Sequence, residues 1–411
     1  MKRSVAALLL GALFATTTLA DDWPQWRGPN RDGISQETGL LKAWPDSGPP
    51  LRWKATDLGT GYSTPVVAAG RVYVQTTRGD EEFAVALDEA TGEQLWSVAI
   101  GKVGVNRGPQ YPGTRSSPTV DGDVLYCLAS AGELVCLDTR DGQTKWQRHL
   151  IDDFEGKVGA WAFSESVLID GDLLICTPGG KRATLAALDK KTGEAVWESA
   201  VPDGDIADYA SVMIVDTGSA KQYVQFLRKG LVGVEAATGN FLWRYNGTRD
   251  QGANITTPIV QGNYVFTAGR PGGGLVQLKV DGESVDADEV YLEKPLAAGI
   301  GGLVLLDGKL YGTNRQAMVC ADYVTGEVHW TDRSVGAASV CYADGHLYVR
   351  GHKDGDVALV EATADGYKEK GRFLPADRSD IRAWPHPIVA NGGLYLRDQG
   401  FLLCYDVAAP N

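Results

Sequence analysis

Five stretches of the 411-residue chain bring arginine, carboxylate and aromatic side chains close together. Asn106, Arg107, Gln110, Tyr111 and Arg115 form the first, and Trp161 marks the second. Asp205, Asp208 and Tyr209 form the third, and Arg249, Asp250, Gln251 and Asn254 the fourth. The fifth holds Asp380, Arg382, Trp384 and His386. An arginine fork grips a carboxylate through two parallel hydrogen bonds, and Trp or Tyr offers a flat face to a ring. Such a set suits an anionic or sugar-like ligand. The candidate ligand-binding residues are Arg107, Tyr111, Arg115, Trp161, Asp208, Arg249, Asn254, Arg382, Trp384 and His386. Tying loops to one another is the structural alternative for the same side chains.

Recognisable catalytic sets are missing from the sequence, so no catalytic residue is assigned. His386 is the one histidine in these stretches. His149 and His329 flank Trp-bearing strands and His346 and His352 share a hairpin region, which suits structural or solvated roles. No His-x-x-x-His or Cys-x-x-Cys spacing points to zinc, and no Gly-x-Ser-x-Gly elbow exists. Gly272 to Gly274 and Gly299 to Gly302 open no helix and read as turns rather than phosphate loops. The acidic run Asp281 to Glu289 lacks calcium-loop spacing. Asn246-Gly-Thr and Asn254-Ile-Thr are formal glycosylation sequons, meaningful only in a eukaryotic secretory route.

The six cysteines each sit inside an apolar, strand-like run, as small core residues do. One pair could do more. If Ala131-Gly132 is a two-residue turn, Cys127 falls directly opposite Cys136, close enough for a cross-strand disulfide.

The elements that must position these groups are legible as a repeat. Ala86 to Trp96 matches Cys136 to Trp146, and the frame returns at Ala187 to Trp197, Gly233 to Trp243 and Cys320 to Trp330. In the most regular copies an acidic residue ends one strand, Thr-Gly or Asp-Gly turns the chain, and the next strand carries the Trp. Upstream, apolar runs flank Asp-Gly, the strongest short hairpin signal. Each unit therefore reads as four strands. First hairpins begin at Pro65, Pro118, Val167, Val212, Pro258, Leu303, Ser339 and Pro387, which makes eight units. Tyr291 and Phe373 stand where Trp would in two of them. The last unit stops after its third strand, and Leu51-Arg52-Trp53 near the N-terminus has the pattern of the missing fourth. The expectation is an all-β, eight-bladed β-propeller of four-stranded antiparallel blades, closed by that N-terminal strand. Trp53, Trp96, Trp146, Trp197, Trp243 and Trp330 would dock neighbouring blades. Loops between the last strand of one blade and the first of the next would gather at one mouth of the central channel. Those loops contain the five stretches.

The frame Ala-x-Asp-x-x-Thr-Gly-x-x-x-Trp, whole at Ala86 to Trp96 and Ala187 to Trp197, resembles the tryptophan-docking repeat of pyrroloquinoline quinone (PQQ) type propellers. That superfamily includes quinoprotein alcohol dehydrogenases and the BamB-type scaffold of outer-membrane protein assembly. Asp22 to Gly33, Phe163 to Ser166 and Trp384 to Pro387 are similar to a bacterial branch of these repeat proteins. The resemblance covers essentially the whole chain after residue 20 and implies the fold. It implies the cofactor less well. The adjacent cysteine pair that stacks on the quinone in methanol-dehydrogenase-type enzymes has no counterpart, nor has a haem-attachment Cys-x-x-Cys-His.

Residues 1–20 read as a cleavable signal peptide, with Lys2 and Arg3 before an apolar stretch and cleavage after Ala20. Residues 21–50 form an N-terminal extension, 51–407 the propeller and 408–411 a tail. The expected location is periplasmic or secreted, with no membrane anchor. Net charge is −13, or −15 without Lys2 and Arg3, which disfavours nucleic acid and anionic membranes. The functional expectation is a monomeric, non-enzymatic binding or scaffold module taking protein, peptide or saccharide at the propeller mouth. The alternative is a quinoprotein-type dehydrogenase using PQQ with calcium. A hydrolase or lyase has no motif behind it.

Overall fold

The computed structural model describes residues 22–410 except 109, 110, 112, 219, 220 and 283. The expected signal peptide lies outside the described residues. Each apolar run flanking a tight turn becomes a hairpin, and four antiparallel strands make one sheet. Seven sheets follow one another over 66–102, 119–149, 168–199, 213–245, 259–293, 298–332 and 338–373, as blades 1 to 7. Blade 8 has three strands within 388–406, and Leu51–Ala55 supplies the fourth with Trp53 opposite Cys404. First strands of neighbouring blades touch around a central channel. The chain is the eight-bladed propeller its repeat predicts, closed by an N-terminal strand.

The repeat frame acts through its turn. Asp88 accepts hydrogen bonds from the N–H groups of Ala90 (3.0 Å) and Thr91 (2.9 Å), and Gly92 follows at φ 75°. A Cβ on Gly92 would stand 2.4 Å from the Trp53 ring, so only glycine lets the indole lie against this turn. The indole N–H groups then reach backbone carbonyls of the following blade. Trp53 donates to Glu89 (2.8 Å), Trp96 to Thr139 (3.0 Å), Trp146 to Lys190 (3.0 Å), Trp197 to Ala236 (3.2 Å) and Trp330 to Thr363 (2.9 Å). Tyr291 keeps this geometry in blade 5, its hydroxyl donating to the Tyr323 carbonyl (2.8 Å). Trp243 departs from it and donates within its own blade, to Gln222 Oε1 (2.7 Å).

Blade 7 corrects the sequence reading. In the other blades the large aromatic stands opposite the third-strand residue just before a bulge, as Trp96 stands opposite Ala86. In blade 7 that place belongs to Gly371, opposite Leu359, and Phe373 lies two residues further along. The missing bulk comes from the N-terminal extension. Trp44 donates its backbone N–H to the Lys370 carbonyl (2.9 Å) and packs on Tyr348 (ring centroids 5.6 Å apart) and Phe373 (5.4 Å). A Cβ on Gly371 would lie 2.7 Å from Trp44 Cβ and 2.9 Å from its backbone N, so the glycine is the clearance that lets the extension's backbone approach the blade at Trp44.

The start of the extension does something equally specific. Trp23 pairs with Val67 of blade 1, and the Pro24 carbonyl accepts from Val120 of blade 2. Arg31 donates to the carbonyls of Ser166 and Val167 in blade 3, Trp26 bonds Thr257 of blade 5, and Arg27 donates to Leu303 of blade 6. Ile34 pairs with Tyr342 of blade 7. Residues 22–35 therefore enter the channel and touch first strands around most of the ring.

The disulfide that a two-residue turn would have allowed between Cys127 and Cys136 does not form, and the reason is register. Ser130, Ala131 and Gly132 make a three-residue loop, with Ala129 donating to the Glu133 carbonyl (2.8 Å). Cys136 thus stands opposite Tyr126, and Cys127 opposite Val135. A one-residue slip sends the thiols to opposite faces of the sheet. Cys127 joins the core shared with Trp96, while Cys136 joins that shared with Phe154 and Phe163. All six thiols are free and buried, and burial raises each above the usual cysteine range.

Candidate functional site

Each blade contributes one residue in or just before its first strand, two positions ahead of the residue aligned across the sheet with the Trp position. Around the ring these are Thr64, Ser117, Ser166, Ser211, Thr257, Gly302, Ser339 and His386. Six carry hydroxyls, so the repeat builds a polar collar. The Ser117 N–H donates to Ser166 Oγ (2.9 Å), the Ser166 N–H to Ser211 Oγ (2.9 Å), and the His386 N–H to Thr64 Oγ1 (3.0 Å). Each hydroxyl linking successive blades satisfies a buried backbone donor.

The extension supplies the floor beneath this collar. Trp26 donates its indole N–H to Thr257 Oγ1 (3.0 Å) and meets His386 edge-on (4.7 Å). Arg27 is buried, its Nε and Nη2 donating to the carbonyls of Arg31, Asp32 and Leu303. It passes over Gly302, where a Cβ would lie 2.0 Å from its Nη1 and 2.9 Å from His386 Cε1. The one blade without a side chain at the collar is the one the guanidinium crosses.

Above the floor is an inner chamber of about 100 Å³, lined by Trp26, Arg27, four of the collar hydroxyls (Thr64, Ser166, Ser211 and Thr257), Tyr62, Tyr209, Arg115 and Trp384. An outer chamber of about 310 Å³ shares Arg115, Tyr209, Ile255, Ile300 and Trp384 with it and adds Tyr111, Trp161 and Ala253. Trp384 packs against Tyr111 (4.5 Å) and Tyr62 (4.7 Å), and Trp161 meets Tyr209 edge-on (5.5 Å). Arg115 fixes the mouth by donating to the carbonyls of Tyr111 (2.7 Å) and Trp161 (3.2 Å), with its guanidinium 5.8 Å from the Tyr62 ring centre. A third hollow of about 400 Å³ lies alongside, lined by Asp250, Arg270, Arg315, His352 and Arg382 as well as Tyr111, Trp161 and Trp384.

The ten sequence candidates therefore divide. Tyr111, Arg115, Trp161, Trp384 and His386 converge on the two central chambers, and Arg382 lines the adjoining hollow. Asp208 and Asn254 are buried in the wall. Arg228 pairs with Asp208 (2.9 Å), whose other oxygen accepts from the Asn254 N–H (2.8 Å). Asn254 Nδ2 donates to the Leu227 carbonyl (2.8 Å), so both residues are spent stitching loops. Arg107 and Arg249 are exposed and line none of these chambers. Sequence reasoning missed Trp26 and Arg27, Tyr62, the collar apart from His386, and His352. The collar was readable in principle, because its members sit at or just before the eight predicted hairpin starts. His352 was missed because turns between second and third strands also reach this mouth.

The electrostatics are those of a dry, cationic pocket. No Asp or Glu lines the inner chamber. Burial lowers Arg27 to about 10 and Arg115 below its ordinary value, and both remain cations near neutrality. Burial also raises Glu82, Glu165 and Asp208 to about 7. His386 falls well below the usual histidine range through burial and the neighbouring Arg27, and burial with Arg350 and Arg382 takes His352 to about 3. Ser339 Oγ lies 2.9 Å from His352 Nε2, but it is fully buried and donates to the Trp384 carbonyl (3.1 Å). That pair ties blade 7 to the next loop and offers no accessible nucleophile. Among the described residues no group of three His, Cys, Asp or Glu could hold a metal, and the thiols lie inside the blade cores.

Comparison with known proteins places this geometry in context. The family described as outer membrane protein assembly factor BamB matches residues 34–161 and 81–332. Subunit 1 of methanol dehydrogenase (cytochrome c) from Methylorubrum extorquens is 29% identical over 170 residues, covering 37% of this chain and 26% of that protein. BamB from Burkholderia pseudomallei is 26% identical over 230 residues, covering 53% of each. The chain thus spans about a quarter to a half of the length of these relatives. The quinohemoprotein alcohol dehydrogenase structure from Comamonas testosteroni superposes with a TM-score of 0.67 at 14% identity, covering 95% of this chain and 81% of that one. At that identity the likeness concerns the fold.

Proposed function

The chain belongs to the family described as outer membrane protein assembly factor BamB, and from that premise we propose that it is an exported, non-enzymatic binding module. Its ligand, a protein segment, peptide or saccharide, sits in the chamber at the loop face. The observation that carries this reading is the blind, aromatic-walled chamber at the mouth, closed below by Trp26 and Arg27. Large aromatics bring contact area at small entropic cost, and Arg115 adds a directional donor. The proteins of known name that it resembles include both a BamB and dehydrogenases. The chamber's donor set favours binding over quinone chemistry.

The test uses residues 21–411, titrated with panels of short peptides and oligosaccharides while Trp fluorescence is followed. Trp161→Ala and Trp384→Ala should lower affinity by roughly 10-fold or more with little change in melting temperature, since both side chains are partly exposed. Adding PQQ with calcium at 100-fold excess over a working dissociation constant would raise stability by ~2.7 kcal/mol if it bound. No such rise is expected. A rise accompanied by dye-coupled alcohol oxidation would sink the binding-module reading.

A further inference from the structure

The lining of the inner chamber narrows the ligand. It carries two guanidinium groups and no carboxylate, in a chain whose net charge is −13. Arg27 Nη1 stands at Gly302 with Nε and Nη2 already committed to carbonyls, and Arg115, its Nη1 and Nη2 held by the carbonyls of Trp161 and Tyr111, brings its charge to the lining of both chambers. Asp32, the nearest acid to Arg27, takes no part in the lining. Around these cations stand Thr64, Ser166, Ser211 and Thr257, and the buried Ser164 hydroxyl has no hydrogen-bond partner. The walls above are Trp384, Tyr62, Tyr209, Tyr111 and Trp161.

We propose that this chamber binds an acidic saccharide, its carboxylate or sulfate directed toward Arg115 and Arg27 and its ring face packed on the aromatic wall. The proposal rests on the mouth being a binding site and goes on to name the ligand class. A pyranose presents both chemistries that the chamber presents. Its axial C–H face covers an aromatic ring, while its hydroxyls meet a collar rich in donors and acceptors. A purely aromatic acid would leave the buried Ser164 hydroxyl without a partner, a loss buried polar groups do not tolerate cheaply. The acidic surface argues for one or two charged rings rather than a long polyanion, which the surrounding field would repel.

Three probes of similar size decide the matter in calorimetric titrations at fixed ionic strength. They are trigalacturonate, the neutral galactose trisaccharide and a tri-glutamate peptide. Trigalacturonate should bind roughly 10- to 100-fold more tightly than the neutral trisaccharide, as expected of a charge-assisted hydrogen bond. Arg115→Met should abolish that preference. Arg115→Lys, which keeps the charge but loses the fork, guards against a folding defect and should retain part of it. Ser211→Ala should weaken both saccharides together. Equal or tighter binding of the neutral trisaccharide overturns the acidic assignment and leaves the mouth reading standing. Binding of the peptide alone overturns the saccharide class. Failure of all three probes overturns this inference, whereas the mouth reading falls only if the wider peptide and oligosaccharide panels also show no binding sensitive to Trp384→Ala.

Discussion

Trp44 belongs in sequence to an extension but in space to blade 7, and Trp44→Ala measures which description governs. The side chain is 6% exposed and packs on Tyr348 and Phe373. Burying a Trp removes ~200 Å² from water, worth up to ~5 kcal/mol at ~25 cal/mol/Å². Its indole N–H is buried without a partner, and truncation relieves that penalty of ~1–3 kcal/mol. The expected cost is therefore ~2–4 kcal/mol, somewhat below the ~3–5 kcal/mol expected of Trp96→Ala, whose N–H is satisfied by Thr139. Trp44→Phe, which drops the unpaired donor and keeps most of the area, should cost under ~1.5 kcal/mol. Gly371→Ala should cost ~1–3 kcal/mol by colliding with the Cβ and backbone of Trp44, and about as much on the Trp44→Ala background, which keeps those atoms. Guanidinium unfolding followed by far-UV circular dichroism gives these values from midpoint and slope. Hydrogen exchange should show the loss of protection concentrated in residues 338–373. A Trp44→Ala effect within ~0.5 kcal/mol, the range of an ordinary surface change, would refute the argument that the extension completes the blade.

Three further outcomes follow from buried groups. Glu165 titrates at about 7 in the folded chain against 4.5 as its ordinary value, raised by burial. The folded state therefore holds this proton more tightly, and the stability it confers is full below pH 4.5 and lost as pH rises through about 7. Glu165→Gln should flatten the fall in stability between pH 5 and 8 by up to ~3 kcal/mol, read from urea midpoints; an unchanged slope would contradict it. Glu82→Gln should act the same way, because burial also raises Glu82 to about 7. The six free thiols should resist a disulfide exchange reagent in the native chain and all react once it is unfolded; rapid native labelling of any one would contradict their placement in the cores.

The repeat was legible because everything that makes a blade is local. The Asp, the Gly of the turn and the Trp lie within eleven residues of one another, and their spacing alone dictates strand, turn and strand. Five copies of that frame within eight four-stranded units dictate the ring. The same logic placed Tyr111, Arg115, Trp161, Trp384 and His386 at one mouth. Where a departure was small it misled. A three-residue loop in place of a two-residue turn moved Cys127 off Cys136, and Gly371 rather than Phe373 took the Trp position in blade 7.

Other decisions had no local signature. Asp208 and Asn254 are as polar as Arg115 and sit in the same kind of loop, yet Arg228 and the Leu227 carbonyl claim them for the wall. A polar side chain's role depends on which partner lies within 3 Å, and those partners come from other strands or blades. The extension is the clearest case. Nothing near Trp26, Arg27 or Trp44 in sequence tells where they go, because the blade residues that receive them, Thr257, Leu303 and Tyr348, lie more than 200 residues away. The sequence by itself determined the blades, their number and the closure of the ring. Only the tertiary structure decided that the channel is floored by the chain's own N-terminal segment, because that segment's free energy comes almost wholly from contacts the closed ring creates.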